Sequence, residues 1–336
     1  MKAVVQVGYG SPDVLKLKDV EKPVPGDGEV LVRVRATSIN AGDYFTMKGK
    51  PFLIRPVLGL MRPRNGRIAG WDLSGLVEAV GGGVTAFVPG DEVYGATGMS
   101  GGAFAEYACI PEGSLAAKPA NLTFEQAAAV PVAAVTALHG LRDAGKLRAG
   151  QKVLINNASG GVGTFAVQIA KTMGAGVTGV CSAKNVAMVR SIGADHVFDY
   201  TKEDFTKSGL HYDLILDNIG THSFSDYKRA LTPEGKVIPN TGHAGMGYVV
   251  RSYMLSMRDP QVGRMFSGTP HTEDLVFLTG LIESGEVSPV IDHTYPFHDV
   301  PAAMGYAAQG HVSGKVVIRV SPPGSEERRE AGGERP

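Results

Sequence analysis

The sequence predicts an α/β fold: a doubly wound parallel sheet inserted in an antiparallel, barrel-like β domain. Three observations carry this. Residues 1–120 run as short β-rich stretches broken by Pro and Gly. From Lys152 onward, strand-like apolar runs alternate with helical ones. From about Pro289 the β-rich texture returns. Short strands with frequent turns read as an antiparallel barrel or sandwich, and strand–helix alternation reads as a parallel sheet with helices on both faces.

In chain order, Ala3–Val7, Glu29–Ala36 and Asp91–Tyr94 are strand candidates, punctuated by Pro23–Gly28 and Gly81–Gly83. Thr123-Phe124-Glu125-Gln126 reads as a capped helix start, with the cap residue followed three positions later by Gln. The parallel strands are expected at Lys152–Asn156, Gly176–Val180, His196–Phe198, Leu214–Asp217 and Val237–Pro239. Gly314–Val320 reads as a last strand that rejoins the first domain. The expected division is therefore 1–120 with 290–320, 121–289 as the inserted unit, and a polar tail at 321–336. The tail is rich in Glu, Arg and Gly, has too little apolar surface to pack, and is assigned no function.

At 336 residues the chain fits two domains. Lys+Arg and Asp+Glu both number 33, so no global field draws it to nucleic acid or an anionic membrane. No apolar run approaches the roughly 20 residues of a membrane span. No secretory leader precedes the first strand, and two cysteines, Cys109 and Cys181, suit a reducing compartment. A cytoplasmic enzyme is expected.

The most informative stretch is Lys152–Gly163, an apolar strand ending in Asn156-Asn157-Ala158-Ser159-Gly160-Gly161-Val162-Gly163 and running into a helical pattern at Thr164–Lys171. A strand, a small-residue turn and a helix start offer a pyrophosphate backbone N–H groups at the positive end of a helix dipole. Ser159, Gly160, Gly161, Val162 and Gly163 are the candidate phosphate-binding residues; the alternative is a structural turn. Ala158 stands where the dinucleotide fingerprint has its first Gly. No acid occurs between Thr164 and Ala194, where an NAD site places one for the ribose 2′-OH. Ser182 and Lys184 follow the second strand instead and suit a 2′-phosphate, which points to NADPH; otherwise they are plain loop residues.

With these motifs on the page the chain resembles the zinc-independent, quinone oxidoreductase-like members of the medium-chain dehydrogenase/reductase family. Tyr9–Leu15, Pro25–Val32, Gly90–Tyr94, Gly102–Tyr107, Ala128–Pro131 and the glycine turn carry the resemblance to about Val320. It implies a Rossmann unit inserted in a GroES-like domain. Zinc-dependent relatives place a Cys where this chain has Asn40, a Gly-His-Glu motif where it has Gly70-Trp71-Asp72, and a further Cys near Val132. Only Asp72 could be a ligand, so no metal is assigned. Without a Lewis acid the resemblance implies reduction of an activated acceptor, a quinone or an α,β-unsaturated carbonyl.

Hydride transfer to such an acceptor builds negative charge on its carbonyl oxygen. Asn40 and Tyr44 lie in the matching substrate loop: Tyr44 could position the acceptor or donate to it, and Asn40 could hold the cofactor ribose or the substrate. Thr136 matches a Thr near the nicotinamide, and Tyr200 a tyrosine at the adenosine-phosphate end. Asn218-Ile219 and Thr241-Gly242 follow the fourth and fifth strands, whose carboxyl ends face a cofactor crevice. Lys315 is a weaker match to the family's terminal Gly-Lys-Val-Val-Ile motif, and otherwise reads as a solvated strand lysine. The basic apolar segment 51–64 reads as a cover for the site, a membrane-touching segment or a packed loop. The family often forms dimers, and 237–266 could pair at an edge. The alternatives to a quinone or enone reductase are an enoyl or alkene-bond reductase of a biosynthetic pathway, a low-turnover NADPH-binding sensor and an RNA-binding protein.

Overall fold

A computed structural model describes residues 1–320 apart from 51, 53, 54, 64, 65, 242, 243 and 265–269. Its strands are β1 (Lys2–Gln6), β2 (Leu15–Asp19), β3 (Glu29–Ser38), β4 (Asp72–Val80), β5 (Glu92–Ala96), β6 (Tyr107–Pro111), β7 (Leu115–Ala117), β8 (Lys152–Asn156), β9 (Gly176–Cys181), β10 (His196–Asp199), β11 (Tyr212–Asp217), β12 (Leu231–Pro239), β13 (Ile291–Pro296) and β14 (Lys315–Arg319). The chain divides into Met1–Val132 with Thr269–Glu283 and Ile291–Pro336, and Ala133–Gly268 with Ser284–Val290.

The first unit holds a sheet ordered β13-β14-β3-β4-β5-β7, with β6 against β3, and a separate antiparallel pair β1-β2. All its pairs are antiparallel except β13–β14, which is parallel. Its core gathers Val30, Val32 and Val34 of β3, Leu73 and Val77 of β4, Phe104, Ile110 and Leu115, and Val316 and Ile318 of β14. Each such side chain, fully buried, contributes about 1.5–3 kcal/mol. Thr123 forms the expected capping box, its N–H donating to Gln126 Oε1 and its hydroxyl accepting from Gln126 N. The helix it starts runs only over Phe124–Ala128.

The helix Thr272–Glu283 falls in this first unit, whereas the sequence places it within 121–289. The reason is local. Tyr94 Oη donates to Leu275 O at 2.7 Å, Thr272 Oγ1 to Leu115 O at 2.8 Å, and Ala120 N to Glu283 Oε1 at 2.8 Å. A helical pattern reveals an apolar face but not the core that receives it.

The second unit is a five-stranded parallel sheet ordered β10-β9-β8-β11-β12. All five parallel strands overlap the segments the sequence indicates, with β11 and β12 beginning earlier, at Tyr212 and Leu231. Numbered from β8, the order is 3-2-1-4-5, the doubly wound arrangement. With the right-handed crossovers usual between parallel strands, this order puts connecting helices on both faces. Leu154, Val180, Phe198, Ile215 and Val237 fill its centre, with Phe205, Phe224 and Tyr227 around them. The order reverses between β8 and β11, whose ends pair Asn156 with Asp217. Ligands of open α/β sheets bind outside the carboxyl ends of strands at such a switch point.

Candidate functional site

In the second unit β8 ends at Asn156, and Asn157 takes the left-handed conformation, φ 60°. Gly160 caps the helix Gly161–Thr172 in extended conformation, φ −79° and ψ 174°. A Cβ on Gly163 would lie 2.1 Å from Asn157 O, so this turn of helix packs on the loop backbone as only glycine allows. Ala158 in the fingerprint's first glycine position is accommodated from across the sheet. A Cβ on Gly179 of β9 would meet Ala158 Cβ at 3.0 Å, and the methyl occupies that space. Gly161, Val162 and Gly163 carry the first helical N–H groups, which have no acceptor within the helix. Ser159 is buried beside them. Cradle and dipole fit the pyrophosphate of a nicotinamide dinucleotide.

Asp217, fully buried at the end of β11, organises the adjoining loop. Its Oδ1 accepts from Asn156 Nδ2 at 3.0 Å, Ile219 N at 3.3 Å and Gly220 N at 2.9 Å. Tyr248 Oη donates to Oδ2 at 2.5 Å, and burial followed by the Asp217 charge raises that phenol's pKa. Asn218 Nδ2 donates to Asn156 O at 3.1 Å, and Asn218 Oδ1 accepts from Asn240 Nδ2 at 2.7 Å. Asn218 is therefore tied to the end of β8, and Ile219 to Asp217 at the end of β11. Thr241 is buried, and Gly242 lies outside the described residues. Neither Asp217, a strand-end acid, nor Tyr248 stands in a motif that marks it along the chain.

Ser182 caps the short turn Ala183–Asn185 after β9, and Lys184 is exposed there. Asp199 of β10 pairs in register with Cys181, one residue before Ser182. An acid thus stands beside this strand end after all, supplied by the neighbouring strand. Its Oδ1 accepts from Thr201 N and Oγ1 at 3.1 and 2.7 Å, and the Thr201 hydroxyl bond lowers its pKa. Tyr200 is 60% exposed, and Thr136 is buried on the helix Pro131–Leu138. Burial raises the thiols of Cys109 and Cys181 to about 11, which keeps them protonated and unreactive at neutral pH.

The first unit brings together residues far apart in the chain. Asp72, fully buried at the start of β4, accepts at Oδ2 from Ser38 Oγ (2.9 Å), Asn40 Nδ2 (2.9 Å) and Lys315 Nζ (3.3 Å), and at Oδ1 from Val132 N (3.1 Å). Lys315 is 3% exposed, so the reading of it as a solvated lysine is corrected. The cause is its position: β14 lies between β13 and β3, inside the sheet. Asn40 begins the helix Ala41–Lys48, and its N–H donates to Asp43 Oδ2 at 2.8 Å. Burial pushes the Asp43 carboxyl up to about 7, and the Asp72 charge adds to this against the Asn40 N–H, Lys315 and Arg67. Tyr44, one turn in, is half-buried against the core, with Lys48 Nζ 4.4 Å from its ring centre. Gly42 is required by Trp71, whose ring a Cβ there would meet at 2.2 Å.

Asn40, Asp72 and Val132, which the family resemblance sets near zinc-ligand positions, do converge. The donor set does not fit a zinc ion. Neither Asn40 nor Val132 offers a thiolate, both Asp72 oxygens are taken, and an ammonium already stands at 3.3 Å. Among the described residues no group of three His, Cys, Asp or Glu could hold a metal. Of segment 51–64 the structure describes a short helix, Arg55–Leu58, with Arg55 packed on the Tyr9 and Phe52 rings and Leu58 buried. Among the described residues no helix is long and apolar enough to cross a membrane.

The sheet order, the glycine turn and the appended β unit define a nicotinamide-dinucleotide oxidoreductase. The comparisons specify it further. Residues 26–120 match the alcohol dehydrogenase GroES-like domain, and residues 192–318 match the zinc-binding dehydrogenase domain. The chain is 34% identical to a chloroplast envelope quinone oxidoreductase homolog of Arabidopsis thaliana, over 95% of this chain and 98% of the relative. It is 34% identical to a chloroplastic NADPH-dependent alkenal/one oxidoreductase of the same plant, over 96% of this chain and 80% of the relative. The solved quinone oxidoreductase of Coxiella burnetii superposes with a TM-score of 0.85 at 28% identity, covering 96% of this chain and 99% of that one. The chain belongs to the medium-chain dehydrogenase/reductase family, in its quinone oxidoreductase-like group.

Proposed function

We propose that the protein reduces quinones or α,β-unsaturated carbonyls with NADPH and without a metal ion. The observation that carries this reading is the dinucleotide cradle of the second unit, the turn from Asn157 into the helix Gly161–Thr172. The names of the two plant relatives, a quinone oxidoreductase homolog and an NADPH-dependent alkenal/one oxidoreductase, agree with it. When bound, the dinucleotide supplies a hydride to the acceptor carbon.

The N–H groups of Gly161, Val162 and Gly163 hold the pyrophosphate, with Ser159 and Gly160 shaping its approach. Ser182 and Lys184 take the 2′-phosphate, and Tyr200 flanks the adenosine end. Thr136, Asn218, Ile219 and Thr241 line the rest of the dinucleotide. Asn40 and Tyr44 supply donors toward the oxygen on which negative charge develops. Tyr44 orients the acceptor, and its hydroxyl is a candidate donor of the proton that completes reduction.

The test is NADPH consumption with a panel of quinones and enones, alongside NADPH and NADH titrations. Turnover of at least one class sustains the reading; NADPH binding without any turnover rejects it. Lys184→Ala is expected to weaken NADPH about tenfold while leaving NADH within about twofold, the size of one charge-assisted contact. Equal losses for both would remove the 2′-phosphate assignment.

A further inference from the structure

Lys315 is the least expected of the buried charges. An ammonium moved out of water costs several kcal/mol unless it is paired and its protons are satisfied. Here three acceptors surround Nζ: Asn40 Oδ1 at 2.5 Å, Ile39 O at 3.2 Å and Asp72 Oδ2 at 3.3 Å. A neutral amine has two N–H bonds and could serve only two of them; three acceptors call for the charged form.

The pair also grips both ends of one amide. Asn40 Oδ1 accepts from Lys315 while Asn40 Nδ2 donates to Asp72 Oδ2 at 2.9 Å. The reverse amide orientation would point Nδ2 at an ammonium and Oδ1 at a carboxylate, two repulsive contacts. Asn40 is therefore fixed in one of its two flips, with a second Nδ2 proton left to offer. It is also the residue that begins the helix carrying Tyr44. The family resemblance sets Asn40 and Asp72 near metal-ligand positions of zinc-dependent members. In such a site a dication would tie the segments together; in this chain an internal ammonium and a carboxylate do so.

We propose that Lys315 and Asp72 are positioning residues of the reductase: a buried ion pair that sets the orientation of the Asn40 amide and, through it, its contact with the reacting oxygen. This rests on the reductase reading above. Neither side chain need touch substrate or dinucleotide, since the effect travels through Asn40.

The experiment compares Lys315→Met, Lys315→Arg, Asn40→Ala, the double variant Lys315→Met/Asn40→Ala and the charge-free pair Lys315→Met/Asp72→Asn, all in the full chain. Lys315→Met leaves Asp72 uncompensated and is expected to lose stability, which is why the charge-free pair is included. The pair should regain most of the lost Tm yet keep kcat at least tenfold down, because the amide is no longer held. Lys315→Arg should retain more activity than Lys315→Met. In the Asn40→Ala background, Lys315→Met should cost little further kcat, since the residue it acts through is gone.

Two results overturn the proposal: wild-type kcat in the charge-free pair, or losses from Lys315→Met and Asn40→Ala that simply multiply. A second readout does not depend on turnover. The side-chain amide protons of Asn40 should give shifted, slowly exchanging NMR signals in the wild-type protein and ordinary ones in the charge-free pair; unchanged signals reject the proposal. If the wild-type protein binds NADPH and reduces nothing, the reductase reading fails, and the NMR comparison still decides whether the pair holds the amide.

Discussion

Asp217 and Asp72 are both fully buried carboxylates at strand ends, one in each unit, but they are satisfied in different ways. Asp217 is held by Asn156, two backbone N–H groups of its own loop and the Tyr248 hydroxyl, all neutral donors. Asp72 has neutral donors in Ser38, Asn40 and Val132, and in addition an ammonium 243 residues further along the chain. A carboxylate served by neutral dipoles stiffens a loop. A carboxylate matched to a buried cation ties its own stability to that of the partner, so neither can be changed alone.

The largest expected effect separates these cases. Asp72→Ala strands the Lys315 ammonium and should cost about 3–5 kcal/mol in urea unfolding. Asp217→Ala leaves only neutral donors unsatisfied and should cost about 2–3 kcal/mol. Adding Lys315→Met should recover part of the first loss and none of the second; equal recovery in both would erase the distinction drawn here.

Next comes a contrast between two glycines. Gly163→Ala sets a methyl against the Asn157 carbonyl, where backbone cannot yield, and should cost about 1–3 kcal/mol and at least tenfold in NADPH affinity. Gly280→Ala, on the exposed side of the helix Thr272–Glu283, meets no atom within 4 Å and should stabilise by about 0.5–1 kcal/mol. Calorimetric titration and thermal melts measure both.

The smallest effect is a slope. Asp43 binds its proton up to about pH 7 when folded, against an ordinary carboxyl value of 3.8. Between those values the folded chain holds a proton that the unfolded chain has lost. Stability from this group is therefore full below about pH 4 and is gone once pH has risen through 7, a change of at most about 4 kcal/mol. Asp43→Asn should flatten the urea midpoint between pH 5 and 8; an unchanged slope would assign it to other groups.

What could be read from the chain follows the same division. The parallel unit builds its cradle from consecutive residues, Asn156 to Gly163, so the local pattern exposes both strand and turn. The cluster in the first unit is assembled by pairing β14 with β3 and β3 with β4, and no local pattern announces that Ser38, Asn40, Asp72 and Lys315 meet. A lysine opening a strand looks solvated until the strand is known to be interior. A signal was available: an acid in largely apolar surroundings, Asp72, calls for a buried cation or several hydrogen-bond donors. Asp199 was missed beside Ser182 because adjacency across a parallel sheet is invisible to a count along the chain.

A Cβ on Gly179 would meet Val189 Cγ1 at 2.7 Å and Ala158 Cβ at 3.0 Å. Ala158 in the turn is tolerated because Gly179 across from it on β9 carries no side chain. Glycine at 158 would relieve only one of the two contacts that exclude alanine at 179. A search for dinucleotide-binding folds that scores the fingerprint one position at a time will undervalue chains of this kind; one that scores the two sites jointly will recover them.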